Sequence, residues 1–406
     1  MNKFVGLFKF IKEVLCLFFS KIYYSFGKRD KNIWVFGEWF GNRCCDNCLF
    51  FANYLSNKHP EIKLFWISSK QANLSALDSR VNRLEMDTSS AISVLKKAGV
   101  VFYVQGIIDL TKRPLLYHSG ALVTNFWHGV PWKKIGADFI LSKRKTFTFN
   151  LFLSLYGVDF YLSLSREFSN IFERAYSASV HNIINSGYPR NSIFYQETRV
   201  KKCKNRLVNY LQTKYNTTFG DSVRIIAYMP TFRDNKDDVF SFMNMGDNSI
   251  NDVLEQTNSI ILEKGHYVTA HKNAISVSNN NARIFKIDDD FLSQELLAAS
   301  DMLITDYSSC FFDYLLLDRP IIHFLYDYDY YAKEDRGLYY KKDDVVGGDV
   351  AENLKQLKFV ILDNITNPQK FAKLRAQRRP RFLEYEKPTS NEEIYNHIIT
   401  KLYKGK

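Results

Sequence analysis

The sequence predicts an α/β protein of two doubly wound domains, each built on a parallel sheet, preceded by an amphipathic helix. Three observations carry this. Short apolar runs alternate with helix-like segments, the pattern of strands joined by crossover helices. The alternation comes as two series, separated by a polar helical stretch over Val200–Ser222. The first residues set large apolar side chains at helical spacing, with charges on the opposite face.

In the leading segment Phe4, Phe8, Ile11, Leu15, Phe18 and Ile22 follow a 4-3-4-3-4 spacing, and Lys9, Lys12 and Glu13 fall opposite. Charges interrupt the run well before the ~20 apolar residues that span a bilayer. No small-residue cleavage site follows, and Tyr23-Tyr24 stand where one belongs. The expected role is a helix lying in the membrane interface, with Lys21, Lys28 and Arg29 toward anionic headgroups. The alternative is a core-packing helix of the first domain.

The first strand series reads Ile33–Gly37, Leu64–Ser68, Val100–Val104, Ala121–Phe126, Phe160–Leu164 and Asn182–Asn185, with helices at Cys48–Asn57 and Ser89–Lys97. The second reads Arg224–Tyr228, Tyr267–Ala270, Arg283–Phe285, Met302–Thr305 and Ile321–Phe324. Asp234–Asn251, rich in Asn, Asp and Ser, reads as a loop. From about 380 the chain is helical and charged, and is expected to pack back across the first half. A chain of 406 residues exceeds what one core usually holds, so two domains are the default. The expected segments are a helix over 1–29, domains over 30–210 and 211–380, and a helical segment over 381–406. Two such domains facing a cleft form a GT-B-like arrangement, with chemistry at the carboxyl ends of strands.

Composition narrows the function. With 46% hydrophobic and 24% charged residues the chain is globular, not disordered. Its net charge of +12 calls for an anionic partner. Zinc-finger spacing, an RNP-like motif and long Lys/Arg runs are all missing, so nucleic acid is set aside in favour of lipid and a phosphate-rich substrate. Cys45 and Cys48 form a lone C-x-x-C without a second pair, so no metal site is expected. Free thiols of a reducing cytoplasm are the simpler reading.

The strand ends carry the candidate chemistry. Met302–Thr305 runs into Asp306-Tyr307-Ser308-Ser309, and Cys310–Leu317 then reads as a helix. Free backbone N–H groups at that helix start, with the hydroxyls of Ser308 and Ser309, suit a pyrophosphate; the plainer reading is that Asp306 or Ser308 caps the helix, and Asp306 can cap while the serines and amides bind. His128 closes an apolar strand ahead of Gly129 and Pro131, where a neutral imidazole can take a proton from a hydroxyl. Lys133 and Lys134 follow as phosphate contacts. Pro230-Thr231-Phe232-Arg233 and Ala270-His271-Lys272 set further cations and imidazole at strand termini, and Arg233 suits a forked grip on phosphate.

These residues resemble the CDP-glycerol glycerophosphotransferases of teichoic acid and capsule synthesis, over roughly 30–345. The resemblance rests on Trp127-His128-Gly129-x-Pro131-x-Lys133-x-x-Gly136, on Pro230-Thr231-x-Arg233, and above all on Ser300 through Tyr314, with Arg319-Pro320-Ile321-Ile322 and Arg336-Gly337 after it. Gly41-Asn42-Arg43 with Asp46-Asn47 looks like the family's acceptor-side loop. The chain departs from the family at Val130, where Thr is usual, at Lys272, where Pro is common, and at Val346-Gly347-Gly348, which replaces a Pro-Gly-rich turn. These departures bear on the donor polyol and the acceptor more than on the reaction class.

The resemblance implies a GT-B fold with the acceptor on the first domain and the nucleotide on the second. His128 is then the base and His271 a phosphate-binding or acid partner. Arg233, Ser308, Ser309, Asp306, Thr231, Arg336 and Lys133 line the donor, and Asn42, Arg43 and Asp46 the acceptor. Glycerol phosphate, or another polyol phosphate, would pass from CDP-glycerol or CDP-ribitol to a lipid-linked teichoic acid or capsule polymer, releasing CMP. No cofactor and no metal are implied. The enzyme would sit peripherally on an anionic membrane surface, at the cytoplasmic face of a bacterial plasma membrane. The rival readings are a GT-B glycosyltransferase with a nucleotide-sugar donor and a non-catalytic, membrane-bound polymer-binding scaffold.

Overall fold

A strand buried on both faces has no polar side to show, and Trp34, Val35 and Phe36 are accordingly all buried within β1 (Asp30–Phe36). The computed structural model describes the chain except residues 1, 140–142, 221, 232–239, 245–248, 266–282, 289–290, 335–336 and 405–406, and gives only the backbone at 2–7, 143–144, 249, 333–334 and 404. Contacts divide it into two units: Met1–His128 with Gly136–Ser192 and Tyr385–Lys406, and Gly129–Ile135 with Ile193–Glu384.

The first unit holds seven parallel strands in the order β3-β2-β1-β4-β5-β6-β7. They are β1, β2 (Lys63–Ser68), β3 (Asn82–Glu85), β4 (Ala98–Tyr103), β5 (Leu122–Asn125), β6 (Phe160–Ser163) and β7 (Ile183–Asn185). Rings weld the sheet to the helix Asn47–Lys58: Phe36 stacks on Phe102 at 4.8 Å, and Phe51 meets Phe126 edge-on at 5.3 Å. Gly99 lets β4 lie against β1, since a Cβ there would stand 2.5 Å from the Asp30 carbonyl oxygen. Thr88 and Ser165 cap the helices Ser89–Lys97 and Arg166–Tyr176. The C-terminal helix Ser390–Lys404 belongs to this unit, with Tyr395 stacked on His59 at 3.6 Å and near Trp34.

The leading helix, Asn2–Ser25, docks on the same unit through a stripe other than the one its spacing picks out. Leu17 packs with Leu116 and Leu155, Phe10 meets Phe152 edge-on, and Lys21 Nζ donates to the Ser154 carbonyl at 2.7 Å. Phe8, Ile11, Leu15, Phe18 and Ile22 are exposed, together with Phe19, Tyr23 and Phe26. An open apolar groove of about 590 Å³ runs along this helix beside Leu115. Among the described residues no helix is long and apolar enough to cross a membrane.

The second unit holds six parallel strands in the order β10-β9-β8-β11-β12-β13. They are β8 (Arg224–Met229), β9 (Ser259–Glu263), β10 (Ile284–Lys286), β11 (Met302–Thr305), β12 (Ile321–Phe324) and β13 (Asp349–Ala351). The strand expected at Tyr267–Ala270 lies outside the described residues. The Asp234–Asn251 stretch is not wholly a surface loop. Phe242 is buried in the core with Tyr228, Ile261 and Ile304, and Tyr228 Oη donates to the Phe240 carbonyl. The polar helix Glu197–Tyr215 lies inside this unit, where Lys204 pairs with Asp301 at 2.8 Å and Tyr210 Oη donates to Asp288. The domain boundary expected at 210–211, within the polar stretch Val200–Ser222, thus lies later than the division by contacts at Ser192–Ile193.

Both sheets reverse their winding once, between β1 and β4 and between β8 and β11. The crevice beyond the carboxyl ends of the strands at such a reversal is where ligands bind in doubly wound sheets.

Candidate active site

In the first unit, β5 ends at Asn125, whose Oδ1 accepts the Trp127 N–H at 2.8 Å and turns the chain out of the sheet. Trp127 takes a left-handed backbone, φ 57°, and Gly129 has φ 143°. Between them stands His128, half-buried, with Trp127 stacked at 4.7 Å and Trp39 edge-on at 5.5 Å. Its Nδ1 lies 3.3 Å from the Val104 carbonyl oxygen. A carbonyl only accepts, so Nδ1 carries the proton and Nε2 keeps its lone pair. Burial pushes the imidazole below its ordinary pKa, which favours the neutral base at neutral pH; the Asp46 carboxylate pulls the other way.

The loop after β1 builds the wall opposite. Trp39, Phe40 and Gly41 are consecutive residues with positive φ, 46°, 61° and 73°. Such a backbone is costly for two aromatic residues, about 1 kcal/mol or more apiece, and is kept only where other contacts impose it. Glu38, buried, accepts N–H bonds from Cys45, Asp46 and Leu49 at 2.7, 2.9 and 3.0 Å. Asp109, also buried, accepts from Phe40, Val104 and Gln105 at 2.6, 3.0 and 2.8 Å. Arg190 pairs with Asp46 at 2.8 Å and donates to the His128 carbonyl at 3.0 Å.

In the second unit, Asp306 at the end of β11 accepts the Thr231 N–H at 2.8 Å and the Tyr307 N–H at 2.6 Å. It thereby ties together the ends of β8 and β11, at the reversal. Of the two caps expected for the following helix, it is Ser308 whose Oγ faces the Cys310 N–H, at 3.4 Å. The helix is also shorter than expected, Cys310–Tyr314, tightening into a 3-10 turn at Leu315–Leu317. Ser308 and Ser309 are half-buried. Tyr307 stacks on Tyr331 at 3.6 Å and donates to Asp327, and Trp132 leans on Tyr307 and Phe311 at 5.6 and 5.9 Å. The Lys133 ammonium lies 4.9 Å over the Tyr331 ring.

The structure thus gathers Thr231, Asp306, Ser308, Ser309 and Lys133 in one unit, and His128, Asn42, Arg43 and Asp46 in the other. Asn42 is exposed and Arg43 half-buried, whereas Asp46 is buried with its carboxylate on Arg190, the Trp39 indole N–H and the Asn47 N–H. Arg233, His271 and Arg336 lie outside the described residues. Glu38, Asp109 and Arg190 were missed by sequence reasoning. Glu38 had a signal, a lone carboxylate straight after the apolar run Ile33–Gly37; Asp109 and Arg190 had none, for the partners that bring them to the site, Phe40 and Asp46, are 69 and 144 residues away.

A family model described as CDP-glycerol:poly(glycerophosphate) glycerophosphotransferase matches residues 18–400. The teichoic acid glycerol-phosphate transferase of Staphylococcus aureus is 27% identical over 80% of this chain and 82% of its own. The teichoic acid poly(glycerol phosphate) polymerase of Bacillus subtilis is 24% identical over 90% of this chain, which spans 48% of that relative. Among solved structures, the wall teichoic acid polymerase TagF superposes with a TM-score of 0.78 at 20% identity, covering 99% of this chain and 98% of the other.

Proposed function

The chain belongs to the CDP-glycerol:poly(glycerophosphate) glycerophosphotransferase family, and from that premise we propose that it moves glycerol phosphate, or another polyol phosphate, from a CDP-activated donor to a lipid-linked teichoic acid or capsule polymer. In this reading the acceptor hydroxyl attacks the donor phosphorus that bears the polyol. The new P–O bond forms as the P–O–P bond to the cytidine phosphate breaks, CMP leaves, and the hydroxyl proton passes to His128 Nε2. The single observation that supports it best is the His128 imidazole just beyond the carboxyl end of β5, whose Nδ1–H faces the Val104 carbonyl and so leaves the Nε2 lone pair to act as base.

The donor's phosphates are assigned to Ser308, Ser309 and Lys133, and also to Arg233, His271 and Arg336 of the matched motifs. Thr231 and Asp306 shape that turn. Asn42 and Arg43 are assigned to the acceptor, and Asp46 to the same side through Arg190, which it pairs with and which donates to the His128 backbone carbonyl. Transfer of this kind needs chiefly positioning and charge stabilisation, which these groups supply. Membrane docking is assigned to the exposed apolar side chains of the leading helix, Phe8, Ile11, Phe19 and Tyr23 among them, and in this reading the protein sits peripherally at the cytoplasmic face beside its lipid-linked acceptor.

The test is incubation of the full chain with CDP-glycerol or CDP-ribitol and membranes. Release of CMP, with donor phosphorus entering the polymer, is the expected result. A glycosyltransferase would release nucleotide without that phosphorus transfer, and a scaffold would release nothing. Either outcome would displace the proposal.

A further inference from the structure

We infer that Asp109 is a positioning residue for His128: its buried carboxylate fixes both the carbonyl that selects the His128 tautomer and the strained turn that walls the ring. The inference rests on the reading of His128 as the base.

Three contacts carry it. Asp109 Oδ2 accepts the N–H groups of Val104 and Gln105, at 3.0 and 2.8 Å. These fix the peptide planes around Val104, whose carbonyl oxygen faces His128 Nδ1 at 3.3 Å. Oδ1 accepts the Phe40 N–H at 2.6 Å. Phe40 and Trp39 both hold left-handed backbone, and the Trp39 ring lies edge-on to His128 at 5.5 Å. One carboxylate thus ties the ends of β1 and β4, at the point where the sheet reverses its winding, and both tied segments touch the imidazole.

The approach is built in from the other side. A Cβ at Gly37 would come within 2.6 Å of the Asp109 carbonyl oxygen and of Leu110 Cδ2, so only glycine lets the Asp109 segment close on the end of β1. Asp109 itself is fully buried, and burial raises its carboxyl to about 6, against the backbone N–H groups that favour the anion. Asp109 is therefore ionised at neutral pH and accepts on both oxygens. An amide in its place turns an NH2 group toward one of these backbone N–H groups, which leaves either the Phe40 turn or the Val104 carbonyl free to shift. A displacement of about 1 Å in a catalytic group can cost roughly 10²-fold in rate.

The test uses the full chain with 15N-labelled histidine. In the unaltered protein, side-chain NMR should report neutral His128 protonated at Nδ1; protonation at Nε2 instead would overturn the inference without any variant. Asp109→Asn should erode that tautomer preference and lower kcat by roughly 10–100-fold, with KM for CDP-glycerol within about twofold. Asp159→Asn is the control, since Asp159 Oδ2 likewise accepts a backbone N–H, that of Val123, at 2.7 Å. It should leave the His128 tautomer unchanged. An unchanged tautomer in Asp109→Asn, or an equal change in Asp159→Asn, would count Asp109 as merely structural. If the unaltered protein shows the expected tautomer but releases no CMP, the functional reading fails while the positioning role stands.

Discussion

At the scale of single residues, His128 is set by its surroundings more than by its own chemistry. Trp39 and Trp127 exclude water from two sides, and burial holds the ring below the ordinary histidine pKa. A base must be neutral, so activity should persist above that lowered value and vanish as pH falls through it. The acid limb of the kcat/KM profile is therefore expected below about 6.5, with a plateau through neutral pH. A limb above 6.5 would remove His128 as the base. His128→Ala should lower kcat at least ~10²-fold while CDP affinity, measured by calorimetry, stays the same.

At the scale of elements, the leading helix carries two stripes, one buried and one exposed. Leu17 buries itself against Leu116 and Leu155, while Phe8, Ile11, Phe19 and Tyr23 remain exposed along the groove. Removing the whole helix would uncover that cluster, so truncation near Asp30 confuses folding with membrane binding. Replacing Phe8, Ile11, Phe19 and Tyr23 together by Ser separates them. The melting temperature should hold, since exposed substitutions usually change stability by under about 0.5 kcal/mol each. Co-sedimentation with anionic vesicles should be lost. In the unaltered protein it should weaken with salt, because part of the attraction is charge on charge. Vesicle binding that survives the four substitutions would move the membrane contact to another surface.

Across the whole molecule, buried titratable groups set how stability follows pH. Burial pushes His118 and His323 down to about 3, so both stay neutral in the fold and protonate when it opens. Their contribution is complete above about 6.5 and is lost as pH falls toward 3. Burial pushes Asp109 up to about 6, and burial together with the Asp46 carboxylate pushes Glu38 up to about 8. A raised carboxyl acts in reverse: the fold binds a proton that the open chain has released, so stability falls as pH rises toward the raised value. From these four groups stability should climb as pH rises from about 3, where the two histidines dominate, and decline above about 6.5, where only the raised Glu38 still releases a proton from the fold. Urea denaturation across that range checks the shape, and a continued rise from 6.5 to 8 would contradict the assignment of Glu38.

Read without the structure, the chain already shows the α/β class, most strands of both series and the blocks around His128 and Asp306-Tyr307-Ser308-Ser309, because these depend on neighbours within a few residues. Apolar runs such as Ile33–Phe36 and Met302–Thr305 announce buried parallel strands wherever they fall. Three strands escaped: β3, Asn-Arg-Leu-Glu, is a largely exposed edge, β13 is three residues long, and β9, Ser-Ile-Ile-Leu-Glu, is wholly buried and was passed over although its apolar run is as clear as those that were read. Phe240 and Phe242 were hidden in a polar stretch, though they pack into the core. Folding alone settles which distant groups meet. Asp46 looked like an open acceptor contact and is instead closed on Arg190; Asp306 looked like a helix cap and instead joins two strand ends through Thr231. Asp109 reaches Phe40 across 69 residues, and His128 reaches Val104 across 24. No local pattern encodes such pairings, because they arise when strands distant in sequence become neighbours in a sheet and their ends converge at its reversal.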